Sequence, residues 1–196
     1  HQNFGPSQIR LQVVSDKIIR VQATAEQGFR DKQSLIIVPQ KGKANYKVEE
    51  QGEQLIITTA AMRAVLNEAT GQITFYDLKD HVLLNEVAQG GKTFKPFTVP
   101  DREIGVDIAK VPESQKHGWS WRALFDSPDN EAFYGLGQHQ SEELNMKGKN
   151  EDLFQYNTKV SVPFVISNKN YGILWDSYSY CRWGNPEDYL QLNRAF

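Results

Sequence analysis

Apolar positions along this chain recur mostly every second residue, and rarely every three or four. In Ile9–Val14, Ile9, Leu11 and Val13 alternate with polar neighbours, and the pattern resumes over 18–25 after Ser15-Asp16-Lys17, which has turn composition. Leu35–Val38 is a short apolar run closed by Pro39, and it reads as a strand. The segments 46–50 and 55–60 flank Gln51-Gly52-Glu53, a hairpin signature. Segments 62–68 and 72–78 flank Ala69-Thr70-Gly71 in the same way, with Val65, Leu66, Ile73 and Phe75 as their apolar positions. Residues 60–69 could pass as a helix, but their neighbours favour a hairpin. Another strand is expected over 81–87.

Residues 88–101 hold two adjacent glycines and two prolines, a composition that predicts a loop or a boundary between subdomains. Beyond them, strands are expected in 102–111, 118–125, 132–137, 162–168 and 171–180, each rich in β-branched and aromatic residues. A dozen or more short strands with scraps of helix predict an all-β fold, a large antiparallel β-sandwich. No repeat, heptad or low-complexity tract interrupts the pattern. The last six residues, "QLNRAF", read as strand with no polar tail, and the expectation is one domain, 1–196, of a longer polypeptide.

Composition narrows the function classes. A formal net charge of −2 supplies no field for nucleic acid or an anionic membrane surface. No apolar run approaches the roughly 20 residues of a membrane-spanning helix. The start, "HQNFGPSQIR", is polar and lacks methionine, which reads as a processed or engineered terminus. Cys181 is the only cysteine, so an internal disulfide is excluded and a packing role is expected.

Chemical candidates are sparse. Gly135-Leu136-Gly137 lacks the third glycine and the following helix of a dinucleotide fingerprint. The histidines at 1, 81, 117 and 139 show no metal-ligand spacing, and neither a metal nor a cofactor is expected. His139 follows the glycine pair, where polar side chains can come close to a ligand; the alternative is a hydrogen bond to a neighbouring loop. The carboxylate pairs Glu49-Glu50, Glu142-Glu143, Glu151-Asp152 and Glu187-Asp188 are sequence neighbours. Adjacent strand residues point to opposite faces, so these pairs do not suit a two-carboxyl glycosidase and read as solvated surface charge. No nucleophile elbow is present, and no catalytic residue is assigned.

The run from Glu131 to Pro186 nevertheless has a distinctive order: Tyr134-Gly135-Leu136-Gly137, Pro163-Phe164, Tyr171-Gly172 and Asp176. It resembles the N-terminal β-sandwich, galactose-mutarotase-like, of glycoside hydrolase family 31, and most of all its bacterial xyloglucan-acting α-xylosidases. The resemblance implies a retaining α-glycosidase whose two catalytic aspartates sit on a following (β/α)₈ barrel, which needs about 250 residues that this chain does not supply. It implies an accessory domain, inactive alone, in a periplasmic or cell-surface bacterial enzyme, meeting carbohydrate through that barrel. No oligomeric state is implied. Family members send a loop with a Trp-Asn-x-Asp run toward the sugar. The corresponding stretch here, 154–164, has Tyr156, Asn157 and Thr158 but no aspartate, a departure that would suit a pentose. Gln138, His139 and Asn157 are the expected substrate-binding residues. Two other readings remain: a free-standing carbohydrate-binding module stacking sugars on Trp119, Trp121, Trp175 and Trp183, and a mutarotase-like epimerase, which would need a histidine and a carboxylate in one cleft.

Overall fold

The structure is a computed structural model that describes residues 4–30, 33–38, 44–89, 91–98, 107–139 and 143–185. Among the described residues there are fourteen β-strands, every pairing between them antiparallel, and helix is confined to a 3₁₀ turn at Ile108–Lys110 and α1, Glu113–Lys116. No helix among the described residues is long and apolar enough to cross a membrane. The chain divides into two compact units, His1–Gln33 with Pro39–Asp126, and Ser34–Val38 with Ser127–Phe196.

In the first unit, β1 (Gln8–Ser15) and β2 (Ile18–Thr24) form the expected hairpin across Asp16-Lys17. A five-stranded meander follows: β3 (Tyr46–Gln51), β4 (Gln54–Thr59), β5 (Arg63–Asn67), β6 (Ile73–Tyr76) and β7 (Val82–Asn85). Its register places Ile57 opposite Ala64 and Leu66 opposite Ile73, so the alternating apolar residues share one face, where all four are buried. Fully burying a side chain such as Ile73 stabilises by roughly 1.5–3 kcal/mol.

Glu86, just past β7, and Lys92 form a buried ion pair, each side chain 4% exposed. Glu86 Oε2 accepts from the Lys92 ammonium and from the Ile73 amide at 2.8 Å, and Lys92 Nζ also reaches Gly71 O at 2.9 Å. Burial pushes the Glu86 carboxyl above its ordinary value, and Lys92 and the Ile73 amide pull it back.

Lys92 opens β8 (Lys92–Thr98), which pairs with β9 (His117–Ala123). A strand thus occupies part of 88–101, where a loop was expected. Phe94 exchanges both backbone bonds with Phe4 at 2.8 Å, on the edge of β8 away from β9. Pro96, two residues on, directs its missing N–H to that same edge, so the β8–β9 ladder loses nothing. Phe94 is buried between Trp119, edge-on at 6.3 Å, and Trp121, stacked at 6.1 Å.

In the second unit, β10 (Phe133–Gln138), β12 (Val160–Ser167) and β13 (Tyr171–Leu174) form one sheet, while β11 (Glu151–Leu153) pairs with β14 (Cys181–Trp183). Phe133, Leu136, Met146 and Val165 are its buried core. Trp183 packs edge-on against Phe133 at 5.2 Å and donates Nε1–H to Met146 O at 3.1 Å. Glu131 is buried where it accepts from Ser167 Oγ at 2.6 Å and from the Tyr171 hydroxyl. Burial, and then the Glu131 carboxylate, push the Tyr171 phenol far up, which keeps it a donor.

Two further expectations change. Leu35–Val38 is not a strand: Ser34 Oγ accepts from the amides of Ile36 and Ile37 at 3.2 and 3.1 Å, and Leu35 N–H donates to the Tyr178 hydroxyl at 2.5 Å. Side-chain oxygens thereby take the amides a ladder would have used. Of the strand expected over 102–111, the described part forms the 3₁₀ turn. Residues 102–106 and the terminal run 191–196 lie outside the described residues.

Candidate functional site

The glycine motif owes its form to a close approach of two strands. Gly135, Leu136 and Gly137 have φ of 127°, 65° and 99°, three successive residues in the region that favours glycine. Register between β10 and β12 shifts there, from Gly135 opposite Val165 to Gly137 opposite Ser161. This irregularity turns Leu136 into the core, where it is 2% exposed. A Cβ on Gly137 would sit 2.1 Å from Val160 O, so the second glycine is imposed by the neighbouring strand and not by a phosphate.

β10 therefore ends against the start of β12, with Gln138 opposite Val160. Asn157 and Thr158 are the two central residues of the tight turn between Tyr156 and Lys159, closed by Lys159 N–H to Tyr156 O at 3.0 Å. The topology thus brings the Gln138-His139 segment and the Asn157 turn to the same end of one sheet. Gln138 and Asn157 are exposed. His139 instead turns inward, its side chain 6% exposed: Nε2–H donates to Leu136 O at 2.7 Å, while Nδ1 lies 3.3 Å from Glu151 Oε2, off the line of a hydrogen bond.

Glu151 was grouped with solvated surface charge, and the structure corrects that reading. Its side chain is 19% exposed, and Oε2 accepts from Lys159 Nζ at 2.8 Å; the ammonium also donates to Asp152 O. Asp152, on the opposite face of β11, accepts from the Tyr180 hydroxyl and lies 3.3 Å from Arg182 Nε. Sequence reasoning missed Glu151 and Lys159 because Lys159 and His139 lie eight and twelve residues from Glu151. Alternation with Val160 and Val162 would have put Lys159 on a solvent face, so no local signal marked it.

This arrangement holds a histidine and a carboxylate together, as an epimerase would require, but both are enclosed and the carboxylate is already matched by an ammonium. The first unit has a depression of about 260 Å³ lined by Phe4, Gln72, Glu86 and Lys92 among others, yet its two charges serve each other. Among the described residues no three His, Cys, Asp or Glu side chains converge as a metal site needs. Of the four tryptophans, Trp183 is partly buried against the core of the second unit, whereas Trp119 and Trp121 remain 38% and 42% exposed.

Comparison with known proteins identifies the family of this fold. Residues 8–183 match the family model of the glycosyl hydrolase 31 N-terminal galactose mutarotase-like domain. A crystal structure of the GH31 α-xylosidase from Xanthomonas citri is 37% identical over 94% of this chain, with a TM-score of 0.78, and the match covers 19% of that chain. A GH31 α-xylosidase from a soil metagenome, complexed with xylose, is 26% identical over 89% of this chain and 26% of its own, with a TM-score of 0.69. The α-xylosidase of Saccharolobus solfataricus is 25% identical over 186 residues, 90% of this chain and 23% of its own length. The chain thus spans roughly a fifth to a quarter of these relatives. Antiparallel sheets, the ordered motifs from Tyr134 to Asp176 and a family match across nearly the whole length agree: this chain belongs to the glycoside hydrolase family 31 N-terminal galactose mutarotase-like domains.

Proposed function

We propose that the chain is the non-catalytic N-terminal domain of a retaining α-glycosidase, an α-xylosidase or α-glucosidase acting on terminal α-linked sugars of plant polysaccharides. It packs on a catalytic barrel and presents the Gln138-His139 segment and the Asn157 turn to the substrate pocket. The carrying observation is the match to an N-terminal family domain over residues 8–183, in relatives four to five times longer that include enzymes named α-xylosidases.

The second unit supplies a physical reason for a neighbour. Val160, Val162, Phe164 and Ile166 alternate along β12, with Tyr134 opposite Ile166 and Leu174 opposite Phe164, so all six share one sheet face. All six are more than a third exposed. A contiguous apolar face of this kind marks a surface built to be covered, and the remainder of the longer polypeptide is its occupant.

Turnover of nitrophenyl α-xyloside tests the reading. No hydrolysis is expected from these 196 residues, and hydrolysis is expected from the full-length protein; turnover by the short chain overturns the proposal. A saturable change in tryptophan fluorescence on adding xyloglucan oligosaccharides to the short chain would favour a binding module instead. Phe164→Asp and Ile166→Asp give a second test. In the short chain, where Phe164 and Ile166 are 38% and 50% exposed, each should cost about 1 kcal/mol. In the full-length protein they should lower thermal stability and activity together.

A further inference from the structure

We propose that the outer face of the β11–β14 ladder is a sugar-stacking platform that holds the leaving-group portion of the substrate. This inference rests on the reading that the chain serves an enzyme removing terminal sugars, with the Asn157 turn at its pocket. Asp152 lies directly opposite Arg182 in the ladder, and strand alternation puts Phe154 and Tyr180 beside them as the next outward positions. Leu153 and Trp183 face the other way, against the core of the second unit. The Phe154 ring meets that of Tyr180 at 6.1 Å and that of Tyr156 at 5.1 Å between centroids, so three aromatic side chains are contiguous. Tyr156 opens the turn that carries Asn157, and the platform therefore adjoins the candidate pocket.

The platform is held in place without being enclosed. Tyr180 is 54% exposed and Phe154 40%. Yet the Tyr180 hydroxyl donates to Asp152 Oδ1 and accepts from Arg182 Nε at 2.7 Å, and its ring lies under the Arg182 guanidinium, 5.3 Å from centroid to Cζ. A ring already fixed loses little freedom when a ligand stacks on it. The chemistry of the face selects the occupant. Apolar side chains of the kind that cover the β12 face would strand the Asp152 carboxylate and the Arg182 guanidinium away from water. A sugar suits both parts: its C–H faces lie on the rings, and its hydroxyls donate to the carboxylate and accept from the guanidinium. The two opposite charges, 3.3 Å apart, sum to zero, which fits a neutral saccharide and not a phosphate or an acidic polymer. A pocket that removes terminal sugars encloses the sugar it cleaves, so the part left to lie on an open face is the leaving group.

The test uses the full-length protein with two substrates. In α-xylosyl fluoride the leaving group is a single atom; in xyloglucan oligosaccharides it is a chain of sugars. Phe154→Ala and Tyr180→Ala are each expected to lower kcat/KM for the oligosaccharides about tenfold, the scale of one aromatic anchor, and to change it less than about twofold for the fluoride. Tyr180→Phe keeps the ring but releases it from Asp152 and Arg182, and a loss of about threefold is expected, again on the oligosaccharides alone. It keeps the test decisive if Tyr180→Ala folds poorly. Tyr46→Ala, equally exposed at 54% in the first unit, is the control and should alter neither substrate. Equal losses on both substrates, or none on either, overturn the platform. Asn157→Ala separates the two readings, since a raised KM for the fluoride keeps the turn at the pocket whatever the ring variants show. Losses confined to the oligosaccharides in the ring variants, beside a silent Asn157→Ala, keep the platform and remove the turn from the pocket. Full-length protein that hydrolyses neither substrate overturns the underlying reading and the platform with it.

Discussion

Lys92→Met is expected to destabilise the chain by about 3–5 kcal/mol, the cost of leaving one member of a buried ion pair without its partner. The lysine side chain is 4% exposed and its ammonium is shared between Glu86 Oε2 and Gly71 O, so methionine fills the space but supplies neither contact. Glu86 would keep only the Ile73 amide. The deficit should also depend on pH in a definite direction. Without Lys92 the two lowering influences it exerts on Glu86 vanish, and desolvation carries the folded-state carboxyl further above its ordinary value of 4.5. Between the ordinary and the raised values the folded chain then holds a proton that the unfolded chain has lost. Stability is therefore fully present below the ordinary value and is lost as pH rises through the raised one. Acidification should shrink the deficit of Lys92→Met. Urea denaturation at several pH values reads both effects. The double variant Glu86→Leu/Lys92→Met should cost less than Lys92→Met alone, because it orphans the Ile73 amide but no charge. A loss under about 1 kcal/mol in the single variant, flat with pH, contradicts the pair as described.

Gly137→Ala is the second large effect, at about 3–5 kcal/mol. A residue with a side chain held at φ of 99° is strained by about 1–3 kcal/mol before any contact is counted. The added Cβ would then lie 2.1 Å from Val160 O and 2.8 Å from Val162 N, both backbone atoms of the paired strand. Relief requires β10 and β12 to part, which disturbs Leu136 and Val165 in the core and loosens the Gln138–Val160 pair beneath the candidate site. Gly52→Ala is the matched comparison. Its φ is 62° and no atom lies within 4 Å of the Cβ position, so only strain applies, about 1–2 kcal/mol. Equal losses for the two alanines would show that the strand contact is not what requires the glycine.

Several elements were legible because their cause is local. Ile9, Leu11 and Val13 alternate, Gln51-Gly52-Glu53 turns, and β1 to β7 follow where these signals place them. Apolar Leu35–Val38 looks the same in one dimension, yet Ser34 and Tyr178 capture its amides, a competition no periodicity records. Pro96 argued against a strand and was harmless, since its ring faces an edge that carries no ladder. Glu151 was taken for surface charge because adjacent strand residues face opposite ways and do not suit a two-carboxyl site. Its burial depends on Lys159 and His139 arriving from the other strands of its unit.

By itself the sequence determined strand content, hairpin positions and family membership, all of which follow from short-range alternation, turn chemistry and the order of a few motifs. Tertiary structure alone decided which charges are buried, which way His139 points, and why two glycines flank Leu136. Those outcomes depend on atoms from strands far apart in the chain meeting within a few ångströms, and no local pattern encodes such a meeting.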